Sequence, residues 1–85
     1  MFAAQFPNLL PDERQTLESM GWREYKSGKN AGGWYLRGKQ LQLFWSATYN
    51  DWNVYHPDFT GPLMGHGTPD GAARKALAYL EALNA

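Results

Sequence analysis

No cysteine occurs in this chain of 85 residues, and that constrains its fold more than any motif it carries. Small domains that cannot assemble a sufficient core are usually held by disulfides or a structural metal. Disulfides and thiolate metal sites are excluded here. The two histidines, His56 and His66, stand ten residues apart, which matches no compact metal-ligand spacing. At this length folding buries only roughly 60–65% of the surface the unfolded chain exposes, so stability must come from efficient apolar packing. Four tryptophans, five tyrosines and four phenylalanines supply the material, each buried ring removing about 150–250 Å² from water. The expectation is one small domain over 1–85 with a core of rings, no metal and no cofactor.

Charge excludes less than it first suggests. Eight Lys and Arg balance eight Asp and Glu, so whole-chain electrostatics favour neither a nucleic acid nor an anionic membrane. No apolar run is long enough to span a bilayer, and no membrane partner is expected. The start, Met1-Phe2-Ala3-Ala4-Gln5-Phe6-Pro7, has neither the basic region nor the long apolar stretch of a secretory signal. Together with the absence of cysteine, this gives a cytoplasmic location as the expectation.

The hydrophobic periodicity divides the chain into α-β-β-β-β-α. Residues 1–8 read as an arm with Phe2 and Phe6 as anchors. A helix is predicted from Pro11 to Met20, with Pro11 in its first turn, Asp12 and Glu13 at the positive end of its dipole, and Gly21 as its stop. From Trp22 the period drops to two. Trp22–Lys26 reads as a strand, Ser27–Gly33 as a flexible hairpin loop and Trp34–Arg37 as a second strand. Gly38-Lys39 reads as a two-residue turn of type II′. The third strand, Leu41–Ala47, alternates: Leu41, Leu43, Trp45 and Ala47 inward, Gln42, Phe44 and Ser46 outward. Trp52–His56 is the fourth strand, ended by Pro57. Residues 58–67 read as a loop. Thr68 then caps a helix with Pro69 in its first position and Ala73, Ala76, Leu77, Leu80 and Leu83 on one face. Short hairpins force an antiparallel meander of three to four strands, an α+β fold with both helices on one face.

The strongest candidate for a working surface is the hairpin region from Trp22 to Gln42. Arg23, Lys26, Lys29, Arg37 and Lys39 meet a single acid there, Glu24, and they are interleaved with Tyr25, Tyr35 and, nearby, Phe44. Cations displace counterions from phosphates and flat rings stack on bases, which is the chemistry a nucleic-acid surface needs. The same cations also suit a plainer role, keeping edge strands and turns soluble.

Three other features carry weaker signals. The run Gly61-Pro62-Leu63-Met64-Gly65-His66-Gly67-Thr68 leads into a helix, where free N–H groups can hold an anion. It lacks the lysine and spacing of a phosphate-binding loop and equally suits a compact crossing from sheet to helix. His56 with Asp58, or His66 with Asp70, could form an acid–base pair, but no nucleophile is tied to either. Finally, tryptophans left outside the core would make an apolar patch fit for a protein partner, unless the N-terminal arm covers it.

Strands followed by the alanine-rich helix TPDGAARKALAYL resemble, over about half the chain, the three-strand-plus-helix DNA readers of plants and of phage integrase arms. In those, a sheet lies in the major groove and the helix backs it. The first helix and the 58–67 loop depart from that pattern, and no residue is carried over from it.

The residues thus point to a non-enzymatic binding module whose partner is nucleic acid, met by Arg23, Lys26, Tyr35, Arg37, Lys39 and Phe44. The alternative is a protein–protein module, an adaptor, inhibitor or small homo-oligomer, using the same aromatic face.

Overall fold

The computed structural model describes residues 7–84. Most of the N-terminal arm, with Phe2 and Phe6, lies outside the described residues. Helix α1 spans Pro11–Ser19 and helix α2 spans Pro69–Leu83. Between them β1 (Arg23–Glu24), β2 (Trp34–Leu36), β3 (Leu41–Ser46), β4 (Asp51–Tyr55) and β5 (Met64–His66) follow in chain order. They form one antiparallel sheet in the order β1-β2-β3-β4-β5, an α+β meander with one strand more than the periodicity indicates.

Helix α1 starts and stops for local reasons. Glu13 reaches back to accept from the Leu10 N–H at 2.9 Å, half of a capping box. At the other end Gly21 adopts φ +96°, which only glycine takes without penalty. The N–H of Trp22 then bonds to the Leu17 carbonyl and that of Gly21 to the Glu18 carbonyl, a Schellman closure. The two residues it joins, Leu17 and Trp22, are both fully buried in the same core cluster. The helix stop therefore also delivers the first tryptophan to the core.

Register sorts the side chains. Trp34, Leu43, Val54 and Met64 lie in one row across β2 to β5, and Trp45, Trp52 and His66 in another. This is the face the helices cover. Trp22, Trp34, Leu41, Leu43, Trp52 and Val54 are buried there with Leu17 and with Ala72, Ala73 and Ala76 of α2. Helix α2 crosses β3, β4 and β5, and α1 packs beside it. The three alanines allow the close approach. Two polar contacts join α1 to the first hairpin. Arg14 pairs with Glu24, and its guanidinium lies 5.4 Å from the centre of the Trp34 ring. The hydrogen bond to Glu24 raises the Arg14 pKa above the usual guanidinium value, against a smaller opposing effect of burial.

Four local expectations are corrected. The turn between β2 and β3 is not a two-residue type II′ turn. Residues Arg37–Lys39 form a 3₁₀ turn and Gln40 takes the left-handed conformation at φ 57°. Pairing of Leu36 with Leu41 leaves four residues to connect, so the positive φ falls at the last of them rather than at Gly38. Ala47 is exposed in the next turn, because β3 ends at Ser46. Leu83 is 54% exposed rather than on the core face, since the last turn of α2 runs past the sheet. The 58–67 segment is not wholly loop. Its Met64–His66 pairs with Trp52–Val54, and the Leu63 N–H bonds to the Val54 carbonyl at 2.7 Å.

Candidate functional site

The face away from the helices carries Arg23, Tyr35, Gln42, Phe44, Ser46, Asp51, Asn53, Tyr55 and Gly65, by the same registers. Tyr25, just past β1, joins them: its N–H bonds to the Gly33 carbonyl and its carbonyl accepts from Gly32. No aliphatic side chain occurs in this set, and no described helix covers it.

Its middle is a continuous row of rings. Tyr35 and Tyr25 have centroids 4.8 Å apart. Tyr25 and Phe44 lie 5.9 Å apart and nearly parallel, at 6°. Phe44 and Tyr55 follow at 6.1 Å. Each such contact stabilises by about 0.5–1.5 kcal/mol beyond its area. The pair Tyr25–Phe44 is informative, because β1 and β3 are not neighbours. Gly33 of the intervening chain makes it possible. A Cβ placed on Gly33 would overlap the Phe44 ring, and Gly33 is buried. With no side chain there, the Tyr25 ring reaches across to stack on Phe44. The glycine is required for space, since its φ is not positive.

Beside the ring row lies a depression of about 380 Å³, lined by Tyr25, Tyr35, Gln42 and Tyr55 and closed at one end by Arg37, His56 and Pro57. Register places Gln42 between Tyr35 and Tyr55 on adjacent strands. The Gln42 Nε2 donates to the Tyr25 hydroxyl at 2.8 Å. A second hollow shares Tyr35 and is lined by Glu18, Arg23, Glu24 and Lys26. Glu24 itself is on the helix side of the sheet, where it accepts from Arg14. The single acid of the hairpins is thus engaged from α1, with the Lys26 ammonium 3.7 Å away, while Arg23, Lys26 and Arg37 stand exposed around the rings.

Of the six residues singled out in the sequence, Tyr35 and Phe44 belong to the ring row, and Arg23, Lys26 and Arg37 border it. Lys39 does not. It lines a separate groove with His56, Leu77, Leu80, Glu81 and Asn84, against α2. Four residues central to this face were not among the six: Tyr25, Gln42, Tyr55 and Gly33. Gly33 had a legible signal, because it lies two residues before the outward Tyr35 and so falls on the outward face.

The remaining candidates resolve into structural contacts. His66 Nδ1 accepts the Thr68 N–H at 3.1 Å, the Thr68 hydroxyl accepts the Gly71 N–H at 3.2 Å, and Pro69 has no N–H. The donors an anion would need at the start of α2 are therefore largely engaged. His56 Nδ1 accepts the Asp58 N–H at 3.1 Å, whereas the Asp58 carboxylate is 3.9 Å away. His66 lies opposite Trp52 at the start of β4 and His56 follows its end, about 13 Å apart at strand rise, so they share no cleft. Among the described residues, no three His, Asp or Glu gather as a metal site. No described helix is long and apolar enough to cross a membrane. The chain matches no protein-family model, curated protein or solved structure.

Proposed function

We propose that this chain is a non-enzymatic module that binds single-stranded nucleic acid on the open face of its sheet. The observation carrying the reading is the row Tyr35–Tyr25–Phe44–Tyr55, bordered by Arg23, Lys26 and Arg37. Stacking of a base on an aromatic ring is worth about 1–3 kcal/mol and tolerates any sequence, while neighbouring cations hold the phosphates. A duplex keeps its bases stacked on one another and would meet only the cations. A single strand can use both, which is why the rings favour it.

Net neutrality does not oppose the reading. The potential that matters is local: Glu24 is held by Arg14 on the helix side of the sheet and lies 3.7 Å from the Lys26 ammonium, and the Asp51 carboxylate on the open face accepts from the Asn53 amide. Three phosphate contacts would give a salt dependence with a slope of about −2, or an about 20-fold weakening between roughly 0.05 and 0.2 M salt.

Fluorescence anisotropy with labelled oligonucleotides tests this. Single strands should bind more tightly than duplexes of the same length, and Arg37→Ala should weaken binding at low salt. Lys39→Ala should change it little, because Lys39 lies in the groove beside α2. A protein-binding face would instead show salt-insensitive self-association or partner contacts through the same rings, with no oligonucleotide bound at low salt.

A further inference from the structure

Helix α2 outruns the sheet it packs on. Ala72, Ala73 and Ala76 are buried, Leu77 and Leu80 are half-buried against the core, and Leu83 is 54% exposed. Leu77, Leu80 and Leu83 are spaced by three, so they lie along one oblique ridge of the helix surface. The apolar stripe that fastens α2 to the core thus continues past the end of the sheet. Beside it lies a groove of about 350 Å³, with Leu77, Leu80, Glu81 and Asn84 of α2 on one wall and Lys39 and His56 on the other.

The charges of this groove indicate what covers it. Lys39 and Glu81 are exposed, of opposite sign and on opposite walls. Neither makes an ion pair with the other or with any other described residue. A groove rimmed by one sign would call for a partner of the other sign. A groove that carries both beside an apolar ridge is complementary to its own image, because a two-fold axis lets each residue meet in the second copy the one that meets it in return. The formal net charge of zero sets up no general repulsion between copies.

We infer that two copies of this chain pair through the last turns of α2. Two antiparallel helices crossing at Leu80 put Leu83 of one copy opposite Leu77 of the other, since both lie three residues from the crossing. Leu83 of each copy then enters the groove of its mate, and Lys39 of each faces Glu81 of the other. The surface belongs to the helix side of the sheet. Pairing therefore leaves the ring row free in both copies, and the inference does not depend on what that row binds.

Sedimentation equilibrium of the full chain, from micromolar to millimolar concentration, tests the pairing. The patch is small and small interfaces are weak, so the expected result is a mass that rises reversibly from one chain toward two across that range. Leu83→Ser should remove the rise and leave the unfolding midpoint unchanged, because the side chain is exposed. Lys39→Glu and Glu81→Lys should each weaken association by roughly 2- to 30-fold, the effect of losing two symmetry-related surface pairs. Mixing these two variants should restore it, since the mixed pair sets lysine against glutamate at both contacts. A single-chain mass at millimolar concentration would assign the groove to another occupant and overturn the pairing. Dimers indifferent to Leu83→Ser, or a mixture no more associated than either charge variant alone, would overturn it as well.

Discussion

At Gly33 a single methyl group would disturb the most. The Tyr25–Phe44 stack spans two strand spacings only because the chain between them has no side chain there. Gly33→Ala should therefore destabilise by about 1–3 kcal/mol, the usual cost of overpacking, as read from urea or thermal unfolding. In combination with Phe44→Ala the cost should be smaller than the sum of the two single changes, because the second removes the ring with which the first collides. Gln40 gives the opposite sign. It holds a left-handed φ of 57° without being glycine, so Gln40→Gly should raise stability by about 0.5–1 kcal/mol. At this scale the sequence was readable in its alternation and opaque in its exceptions. The outward placement of Tyr35, Gln42 and Phe44 follows from period two. That Gln40 rather than Gly38 would carry the positive φ depends on the register of the Leu36–Leu41 pair, which is a tertiary outcome.

Among the elements, the junction of β5 and α2 shows how a local rule can be reversed. Replacing a helical glycine with alanine ordinarily stabilises by about 1 kcal/mol. At Gly71 the added Cβ would overlap the His66 ring and lie 2.6 Å from the Thr68 hydroxyl. Gly71→Ala should thus destabilise, and His66→Ala in the same chain should recover part of the loss, by the same unfolding measurements. The strand that brings His66 there was not legible in the sequence. Met64–His66 is three residues long with glycine in its centre, so no alternation marks it. Gly65 is nevertheless required, since a Cβ would approach the Asp51 carboxylate and the Asn53 amide at 2.9 and 3.0 Å. The helices, by contrast, were written in their caps: Pro11 and Gly21 for α1, Thr68 and Pro69 for α2. The link from α1 to the sheet is electrostatic as well as apolar. Arg14→Ala should cost about 1 kcal/mol, modest because the pair is part-exposed. The Arg14 pKa is shifted upward, so its contribution is complete at neutral pH and is lost only in strong alkali.

For the whole molecule, segregation of the two sheet faces joins stability to function. One face gathers Trp22, Trp34 and Trp52 with the helices, leaving the Trp22 and Trp34 indole N–H groups without hydrogen-bond partners among the described residues. The other gathers tyrosines and Phe44 beside cations. The choice of rings by face is the chemistry one would expect of a packed side and a working side, and the alternation of β3 already separates Trp45 from Phe44, while the faces of Trp22 and Trp52 were not fixed by it. What the alternation could not supply was the assembly of Tyr25, Gln42 and Tyr55 around one recess, since that needs three strands in register. The measurement that tests the account most directly is anisotropy of a labelled single strand at low salt, repeated at about 0.2 M. The account predicts binding that weakens with salt and is reduced by Tyr25→Ala and by Arg37→Ala in chains that remain folded. Absence of binding at low salt, or binding indifferent to both substitutions, would contradict it.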